Sequence, residues 1–233
     1  MTAPAPGRPP EVLPVQTTRR EAQRTYGRLS RFYDATEGLL EARIKRRALR
    51  LAGAVPGETV LEVGPGTGWA LERLSRAVGR DGLACGVDIA PGMLAAADRR
   101  LRRRRTLLAL GDAAALSIGD GRCNLVFMSF ALELMPTVEI PAVLAEVMRV
   151  LRPGGRLVDV SLSRESPNLA TRLYEWGHER LPQLLDCRPI YARRSLETAG
   201  FKITAGRRAS ILGLPVEIVL GRKPTRGRRK RNA

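Results

Sequence analysis

Short runs of apolar residues alternate with longer amphipathic segments over most of the chain from residue 59 onward. The short runs are typical of strands, and the longer segments repeat apolar residues at helical spacing. The predicted strands are Thr59–Val63, Leu83–Val87, Thr106–Leu110, Asn124–Phe130, Arg156–Leu162, Lys202–Arg207 and Pro215–Leu220. The predicted helices are Thr36–Ala52, Trp69–Val78, one that begins at Pro91, Ile140–Leu151, Asn168–Leu181 and Arg193–Ala199. This alternation predicts an α/β fold with a doubly wound, mostly parallel sheet and helices on both faces.

The domain organisation follows from where this alternation begins and ends. We predict a proline-rich disordered lead at residues 1–18, a helical cap at 19–56, one α/β domain at 57–221 and a basic disordered tail at 222–233. A chain of 233 residues, 44% of them hydrophobic, suits one domain with short extensions. No apolar stretch approaches the roughly 18–20 residues of a spanning helix, and the first residues lack a signal pattern, so we expect a cytoplasmic protein.

The charge balance is strongly basic, with a formal net charge of +17. Such a charge favours contact with phosphates, anionic lipid or nucleic acid. Arginines concentrate at Arg99–Arg105 and in the tail, which a solvated helix end and a disordered segment would also explain. The basic amphipathic helix Thr36–Ala52 could rest on an anionic membrane, as a peripheral protein would. Its alternative is a helix packed on the sheet with a solvated basic face.

The few cysteines and the single histidine limit metal and disulfide chemistry. Cys85, Cys123 and Cys187 are odd in number and far apart, and His178 is the one histidine of the sequence. A disulfide framework or a paired-cysteine zinc site is therefore not expected, and we assign no metal ligands.

The join between the first strand and its helix reads V-L-E-V-G-P-G-T-G-W-A-L. Gly64, Gly66 and Gly68 allow a sharp turn close to a ligand, and the following helix presents free N–H groups. In a dinucleotide fingerprint the third glycine would stand at Trp69. Glu62, just before the turn, suits a cationic amine, such as the methionine portion of S-adenosylmethionine, better than a pyrophosphate. The alternative for Glu62 is a structural cap or an ion pair with an arginine.

Two further acids follow the next two strands. Asp88 ends the second strand, where a carboxylate can accept hydrogen bonds from both hydroxyls of a ribose; its alternative is a cap for the helix at Pro91. Asp112 is placed to accept from an adenine amine, with the Ala113 N–H facing a ring nitrogen; its alternative is a turn-forming role. Met93 could pack on the adenine face or in the core. These positions predict one nucleoside site along the sheet edge.

Four motifs, V-L-E-V-G-P-G-T-G, G-V-D-I-A-P-G-M-L, G-D-A and V-L-R-P-G-G-R-L, occur in this order within residues 59–162. Together they resemble class I S-adenosylmethionine-dependent methyltransferases. The chain is most similar to the ubiquinone/menaquinone biosynthesis C-methyltransferase group and to the related bacterial phosphatidylethanolamine N-methyltransferases. The R-F-Y-D segment, Arg31–Asp34, resembles a segment of these enzymes whose tyrosine helps cover the cofactor.

The resemblance implies S-adenosyl-L-methionine as cofactor and a seven-stranded sheet whose last strand runs antiparallel. It also implies a small lipophilic acceptor, either a quinone-type ring carbon or a phospholipid amine. The candidate cofactor-binding residues are Tyr33, Glu62, Gly64, Pro65, Gly66, Thr67, Gly68, Asp88, Ile89, Met93, Asp112, Ala113 and Ser129.

Catalysis and substrate class leave alternatives. A general base is needed only if the acceptor must lose a proton, and His178 is the candidate by its intrinsic pKa; a surface or packing role is its alternative. Ser129-Phe130-Ala131-Leu132 lacks the N/D-P-P-Y/F pattern with which base-amino methyltransferases grip an extruded base, and aromatic residues make up 4% of the chain. An RNA-directed methyltransferase, a non-catalytic basic module that binds RNA or a membrane, and a nicotinamide-dependent oxidoreductase are the competing hypotheses.

Overall fold

The computed structural model describes residues 41–102, 104–165, 167–180 and 187–225, without the side chains of residues 178 and 179. Its strands are β1 (Thr59–Val63), β2 (Leu83–Asp88), β3 (Thr106–Leu110), β4 (Cys123–Ser129), β5 (Leu151–Leu162), β6 (Lys202–Ile211) and β7 (Leu214–Arg222). Its helices are α1 (residues 41–52 of the described chain), α2 (Trp69–Val78), α3 (Pro91–Leu101), α4 (Ile140–Val150), α5 (Leu169–Arg180) and α6 (Ala192–Thr198), with a 3₁₀ turn at Leu132–Leu134. The predicted lead and most of the predicted tail lie outside these residues, so the domain boundaries stay predictions.

All seven strands belong to one sheet with the order β3-β2-β1-β4-β5-β7-β6. Strands β1 to β5 pair in parallel, and β7 runs antiparallel to both of its neighbours. This arrangement confirms the predicted doubly wound α/β fold with an antiparallel last strand. Strand β4 is buried on both faces, as its continuous apolar run from Leu125 to Met128 predicts.

Two apolar cores lie on opposite faces of the sheet, and each strand contributes alternate side chains to them. In β4, Val126 and Met128 pack against α4 and α6. Their neighbours Leu125 and Phe127 pack on the other face, against α1, α2 and α3. The helices therefore cover both faces and leave the strand ends open, which is where the loops that could hold a ligand converge.

Helix α1 packs its apolar side on the sheet. Ile44, Ala48 and Ala52 are buried in the second core. Its exposed side carries Arg43, Arg46, Arg47 and Arg50. For residues 41–52, the described part of the segment Thr36–Ala52, the structure supports the packed helix with a solvated basic face, since the apolar side is not available to a bilayer. Within the described residues, no helix combines the length and the apolar character that crossing a membrane requires.

Arg156 fastens the end of α1 to the sheet. Its Nε and Nη2 donate to the carbonyl oxygens of Ala52 (2.6 Å) and Gly53 (2.8 Å). Its Nη1 and Nη2 also donate to the two carboxylate oxygens of Glu58, each at 2.8 Å. This bidentate contact holds the pKa of the Glu58 carboxyl below its usual value. Arg156 therefore fixes where α1 crosses the edge of the sheet.

The largest differences from the predicted strand bounds are in β5 and β6, both of which are longer than predicted. β5 begins at Leu151, directly after α4, so Pro153-Gly154-Gly155 belongs to the strand region instead of separating it from the helix. The reason is tertiary pairing, because Gly154 and Gly155 exchange backbone hydrogen bonds with Lys223. β6 continues to Ile211 because its ladder with β7 runs on to the hairpin turn.

A buried polar cluster links β5, β7 and α6. Asp159 is fully buried, its Oδ2 accepts a hydrogen bond from the Ser161 hydroxyl (2.9 Å), and its Oδ1 has no partner among the described residues. Burial, with a smaller contribution from the charge of Glu217, raises the pKa of Asp159 to about 7. Arg193 in turn contacts the Glu217 carboxylate at 2.9 and 3.0 Å.

This pKa predicts how Asp159 affects stability. Between the unfolded pKa of about 3.9 and the folded pKa, the native protein holds a proton that the unfolded chain releases, so the contribution of Asp159 to stability falls as pH rises and is lowest above about pH 7. We expect Asp159→Asn to leave Tm nearly unchanged near pH 4.5 and to raise it near pH 8. Thermal unfolding at both pH values measures the difference. The exposed Asp81→Asn serves as control, and an equal Tm change at both pH values would contradict the assignment.

Candidate functional site

One cavity opens at the carboxyl ends of β1, β2, β3 and β4. The strand order reverses between β1 and β4, and such a switch point is where open α/β sheets bind ligands. The sequence-predicted residues that line this cavity are Glu62, Gly64, Pro65, Gly66, Thr67, Asp88, Ile89, Met93, Asp112, Ala113 and Ser129. The structure thus brings together residues from four separate segments of the chain.

Three predicted site residues are not among these lining residues. Tyr33 lies outside the described residues. His178 falls within α5, but its side chain is not among those described, so its catalytic role stays a prediction. Gly68 does not line the cavity; a Cβ on it would lie 3.1 Å from the Cβ of Ala97. In the structure, Gly68 therefore allows the start of α2 to approach α3.

The glycine-rich turn depends on close approach at Gly64. Its φ of 69° lies in the left-handed region, and a Cβ there would lie 2.8 Å from the Cβ of Ala131. Any larger residue would push the turn away from the loop after β4. The glycine therefore sets the width of the cavity between these two loops.

Glu62 is a buried carboxyl that lacks part of its hydrogen bonding. It is 2% exposed, and its Oε2 has no hydrogen-bond partner among the described residues. Burial raises its pKa to about 8; the charge of Asp88 adds to this rise, whereas Lys45 and the backbone N–H of Leu71 oppose it. Because Leu71 belongs to the first turn of α2, Glu62 does act as a structural cap, and its unpartnered oxygen still leaves room for a cationic ligand.

Asp88 joins two loops of the site. Its Oδ2 accepts from the Gly66 N–H (3.1 Å) and its Oδ1 from the Ala90 N–H (2.9 Å). Burial raises its pKa, and these N–H groups oppose the rise. Each carboxylate oxygen can accept a second hydrogen bond, so this structural role is compatible with ligand binding.

Asp112 shapes the third loop. Its Oδ1 accepts from the Ala114 N–H (2.9 Å), which is the turn-forming contact that the sequence left as an alternative. Ala113 and Met93 are buried and line the same part of the cavity. Ser129, at the end of β4, is buried at its floor. These residues form a narrow space suited to a flat ring.

Lys45, which the sequence did not assign to the site, also lines it, and so does Phe130, which follows Ser129 in the loop that the sequence predicts to line the pocket. Lys45, from α1, forms an ion pair with Glu41 and lies 5.8 Å from the ring centroid of Phe130. Phe130 has a φ of 53°, which is uncommon for a residue other than glycine and often marks a functional position. The only sequence signal for Lys45 is its position beside the buried Ile44, at the edge of the apolar side of α1.

The titratable groups of the cavity are mostly acids, although the protein as a whole is basic. Its lining includes Glu62, Asp88, Asp112 and Glu139, and Lys45 is its one cation among the described residues. The whole chain carries a formal charge of +17. A mainly acidic cavity in a basic protein attracts a cationic ligand and disfavours a pyrophosphate or a nucleic-acid backbone.

Comparison with known proteins agrees with this geometry. A family model described as a methyltransferase domain matches residues 60–155. Demethylmenaquinone methyltransferase of Tropheryma whipplei (strain Twist) is 33% identical over 191 residues, which cover 76% of this chain and 76% of that protein. Nocamycin O-methyltransferase of Saccharothrix syringae is 32% identical over 164 residues, covering 69% of this chain and 57% of the relative.

A solved structure supports the fold independently. The crystal structure of the [4+2]-cyclase SpnF superposes with a TM-score of 0.71 at 17% identity, covering 93% of this chain and 100% of that chain. At this identity the likeness concerns the fold alone. The sheet order, the acidic cavity at its switch point and the identity shared with the Tropheryma protein agree with one another: the chain belongs to the S-adenosylmethionine-dependent methyltransferases, in the family that includes demethylmenaquinone methyltransferase.

Proposed function

We propose that this protein methylates a small lipophilic acceptor, with a quinone-type ring carbon as the first candidate and a phospholipid amine as the second. The observation that carries the proposal is the acidic cavity at the sheet edge, which continues into an apolar wall. The relative that covers most of the chain is named for a quinone substrate, which favours the first candidate.

The charged groups of the cavity match the amino-acid end of S-adenosylmethionine. Glu62, with its unpartnered buried oxygen, would accept from the α-ammonium group. Lys45, the cation among the described lining residues, would donate to the α-carboxylate. The two side chains interact electrostatically across the cavity, so together they suit a zwitterion.

The remaining predicted residues suit the nucleoside end. The oxygens of Asp88 would accept from the ribose hydroxyls, while Asp112 and the backbone of Ala113 would contact the adenine edge. Met93 would pack on the face of the ring. The backbone of the glycine-rich turn brings these groups close enough for contact because Gly64 has no side chain.

The acceptor would lie against the apolar side of the cavity, formed by Phe130, Leu134, Met135 and Pro136. The cofactor would supply a methyl group on a sulfonium: the acceptor atom would bond to the methyl carbon as the carbon–sulfur bond breaks, and S-adenosylhomocysteine would leave. The apolar wall contributes by excluding water and holding the acceptor in place, and such positioning can account for about 7–11 kcal/mol of a reaction barrier. His178 remains the candidate for removing a proton from the acceptor.

The competing functions are less compatible with the site. A nicotinamide dinucleotide would place its pyrophosphate beside Glu62, and nucleic acid would bring phosphates to an acidic opening. The loop after β4 also lacks the N/D-P-P-Y/F pattern of base-amino methyltransferases. In its place, Phe130 has a left-handed conformation within the cavity wall, with its ring near Lys45.

Ligand affinities of three variants separate the roles of the charged residues. We expect Glu62→Gln and Lys45→Gln to weaken S-adenosylhomocysteine binding roughly 10- to 100-fold, because each removes a charged hydrogen bond. Binding of 5′-methylthioadenosine, which lacks the amino-acid end, should stay nearly unchanged. Asp88→Asn should weaken both ligands, and isothermal titration calorimetry measures all three effects.

The exposed Asp98→Asn, on the outer side of α3, is the matched control and should leave both affinities unchanged. Equal losses for the two ligands in Glu62→Gln would remove Glu62 from the amino-acid end. Binding of NAD instead of S-adenosylhomocysteine by the unaltered protein would contradict the cofactor assignment.

The raised pKa of Glu62 predicts pH-dependent binding. The ligand ammonium binds the ionised carboxylate, so below about pH 8 binding must be accompanied by release of a proton. Affinity for S-adenosylhomocysteine should therefore rise by up to about tenfold per pH unit and level off near pH 8. Calorimetry in buffers of different ionisation enthalpy counts the released proton. The same dependence in Glu62→Gln would refute the explanation.

Methyl transfer itself tests the acceptor class. The protein is incubated with methyl-labelled cofactor and, separately, a short-chain prenyl naphthohydroquinone, phosphatidylethanolamine vesicles and transfer RNA. We expect label in the naphthohydroquinone, measured by mass analysis of the product. Label in the RNA alone would overturn the proposal. If His178 removes the acceptor proton, His178→Gln should lose turnover and keep its affinity for S-adenosylhomocysteine.

A further inference from the structure

Helix α5 exposes an apolar stripe. The exposed fractions of Leu169, Leu173 and Trp176 are 82%, 66% and 55%. Their spacing of four and three residues places them on one face of the helix. The opposite face is held to the protein by Thr171, which is fully buried, and by Tyr174, which packs against the second core.

The β6–β7 hairpin adds a fourth exposed apolar residue beside this stripe. Leu212 is 78% exposed and has a φ of 48°, and Gly213 after it has a φ of 85°. The turn lies against the start of α5, because the side-chain amide of Asn168 donates to the Gly213 carbonyl oxygen (2.9 Å). We call Leu169, Leu173, Trp176 and Leu212 the α5–hairpin surface.

Leu212 is unfavourable for folding in two respects. A two-residue hairpin turn with positive φ at both positions favours Asn-Gly, and a leucine at the first position is strained. Its exposed side chain gains little from burial in return. Strain at an exposed apolar residue indicates a role outside the folded monomer.

Cations surround this surface. Arg172 and Arg180 on α5 and Arg207 on β6 are exposed, and Arg207 lies on the sheet face that α5 covers, because its neighbour Gly206 faces Arg193 of α6. The Arg180 guanidinium lies 4.0 Å from the Trp176 ring centroid. Among the described side chains of α5 and of the hairpin, the acids are already paired, Glu175 with Arg164 (3.3 Å) and Glu217 with Arg193. The charge offered to a partner is therefore positive.

We propose that the α5–hairpin surface docks on an anionic lipid bilayer. Leucine and tryptophan side chains inserted among the acyl chains, with arginines at the level of the headgroups, are the pattern of a protein that lies on a membrane. A second copy of this chain would place the same arginines opposite one another, which disfavours self-association. This docking proposal can be tested independently of the proposed methyl acceptor, because vesicle binding is measured without methyl transfer.

Vesicle binding by the full chain tests the proposal. Trp69→Phe leaves Trp176 as the one remaining tryptophan, since the sequence has two. With phosphatidylcholine vesicles that contain phosphatidylglycerol, we expect a blue shift of its emission and quenching by brominated acyl chains. Both effects should decrease at high salt and with pure phosphatidylcholine.

Substitutions locate the contact. Leu173→Gln should weaken co-sedimentation with the anionic vesicles roughly tenfold, the loss expected for one inserted leucine side chain. Leu107→Gln, a similarly exposed leucine (59%) on β3, is the matched control and should bind as the unaltered protein does. Arg172→Gln should weaken binding, whereas Arg122→Gln, exposed at the amino end of β4, should not.

Leu212→Asn should change thermal stability and vesicle binding in opposite directions, which a purely structural role of Leu212 would not explain. Asparagine tolerates the turn conformation, so Tm should rise while vesicle binding falls. The proposal is overturned if the unaltered protein does not bind phosphatidylglycerol vesicles, or if Leu173→Gln binds them as well as Leu107→Gln does. It is also overturned if Leu173→Gln converts a dimer to a monomer in ultracentrifugation without changing vesicle binding.

Discussion

The site is organised around a carboxyl group that the fold removes from water without giving it a full set of partners. Glu62 ends the central strand, where neighbouring strands cover both sides and the start of α2 supplies one N–H. Burial at this depth favours the neutral form of an acid, and a cation is what restores its charge. The sheet thereby creates a site that favours a positively charged ligand over water. This site lies in a protein whose surface repels cations.

The position of α1 determines the other half of this electrostatic arrangement. Arg156 holds the carbonyl oxygens at the end of α1, and this helix carries Lys45 into the cavity. One arginine on a strand thus sets the distance between a lysine and an acid that are far apart in sequence. The many arginines on the outer face of α1 do not line the cavity. The net charge of the chain is therefore a poor guide to the charge of the site.

Sequence reasoning predicted the parts of the molecule that depend on local chemistry. The glycine-rich turn and the strand–helix alternation are encoded within a few residues, and parallel strands bring their carboxyl ends to one edge, so Asp88 and Asp112 could be assigned to the same cavity. Lys45 was not assigned, because its place depends on how α1 packs against the sheet, and the left-handed conformation of Phe130 depends in the same way on the packing of the loop after β4. The start of β5 was misplaced for a similar reason: pairing with Lys223 extends a strand through a Pro-Gly-Gly sequence that would otherwise end regular structure.

The contact between Gly64 and Ala131 limits how this protein could diverge. With 2.8 Å between the Cβ of Ala131 and the point where a side chain on Gly64 would start, neither position can enlarge while the other stays in place. A change in the range of acceptors would have to come from substitutions at residues 134–136, which also line the cavity. Descendants of this sequence could therefore change the molecule they modify and still retain an unaltered donor pocket.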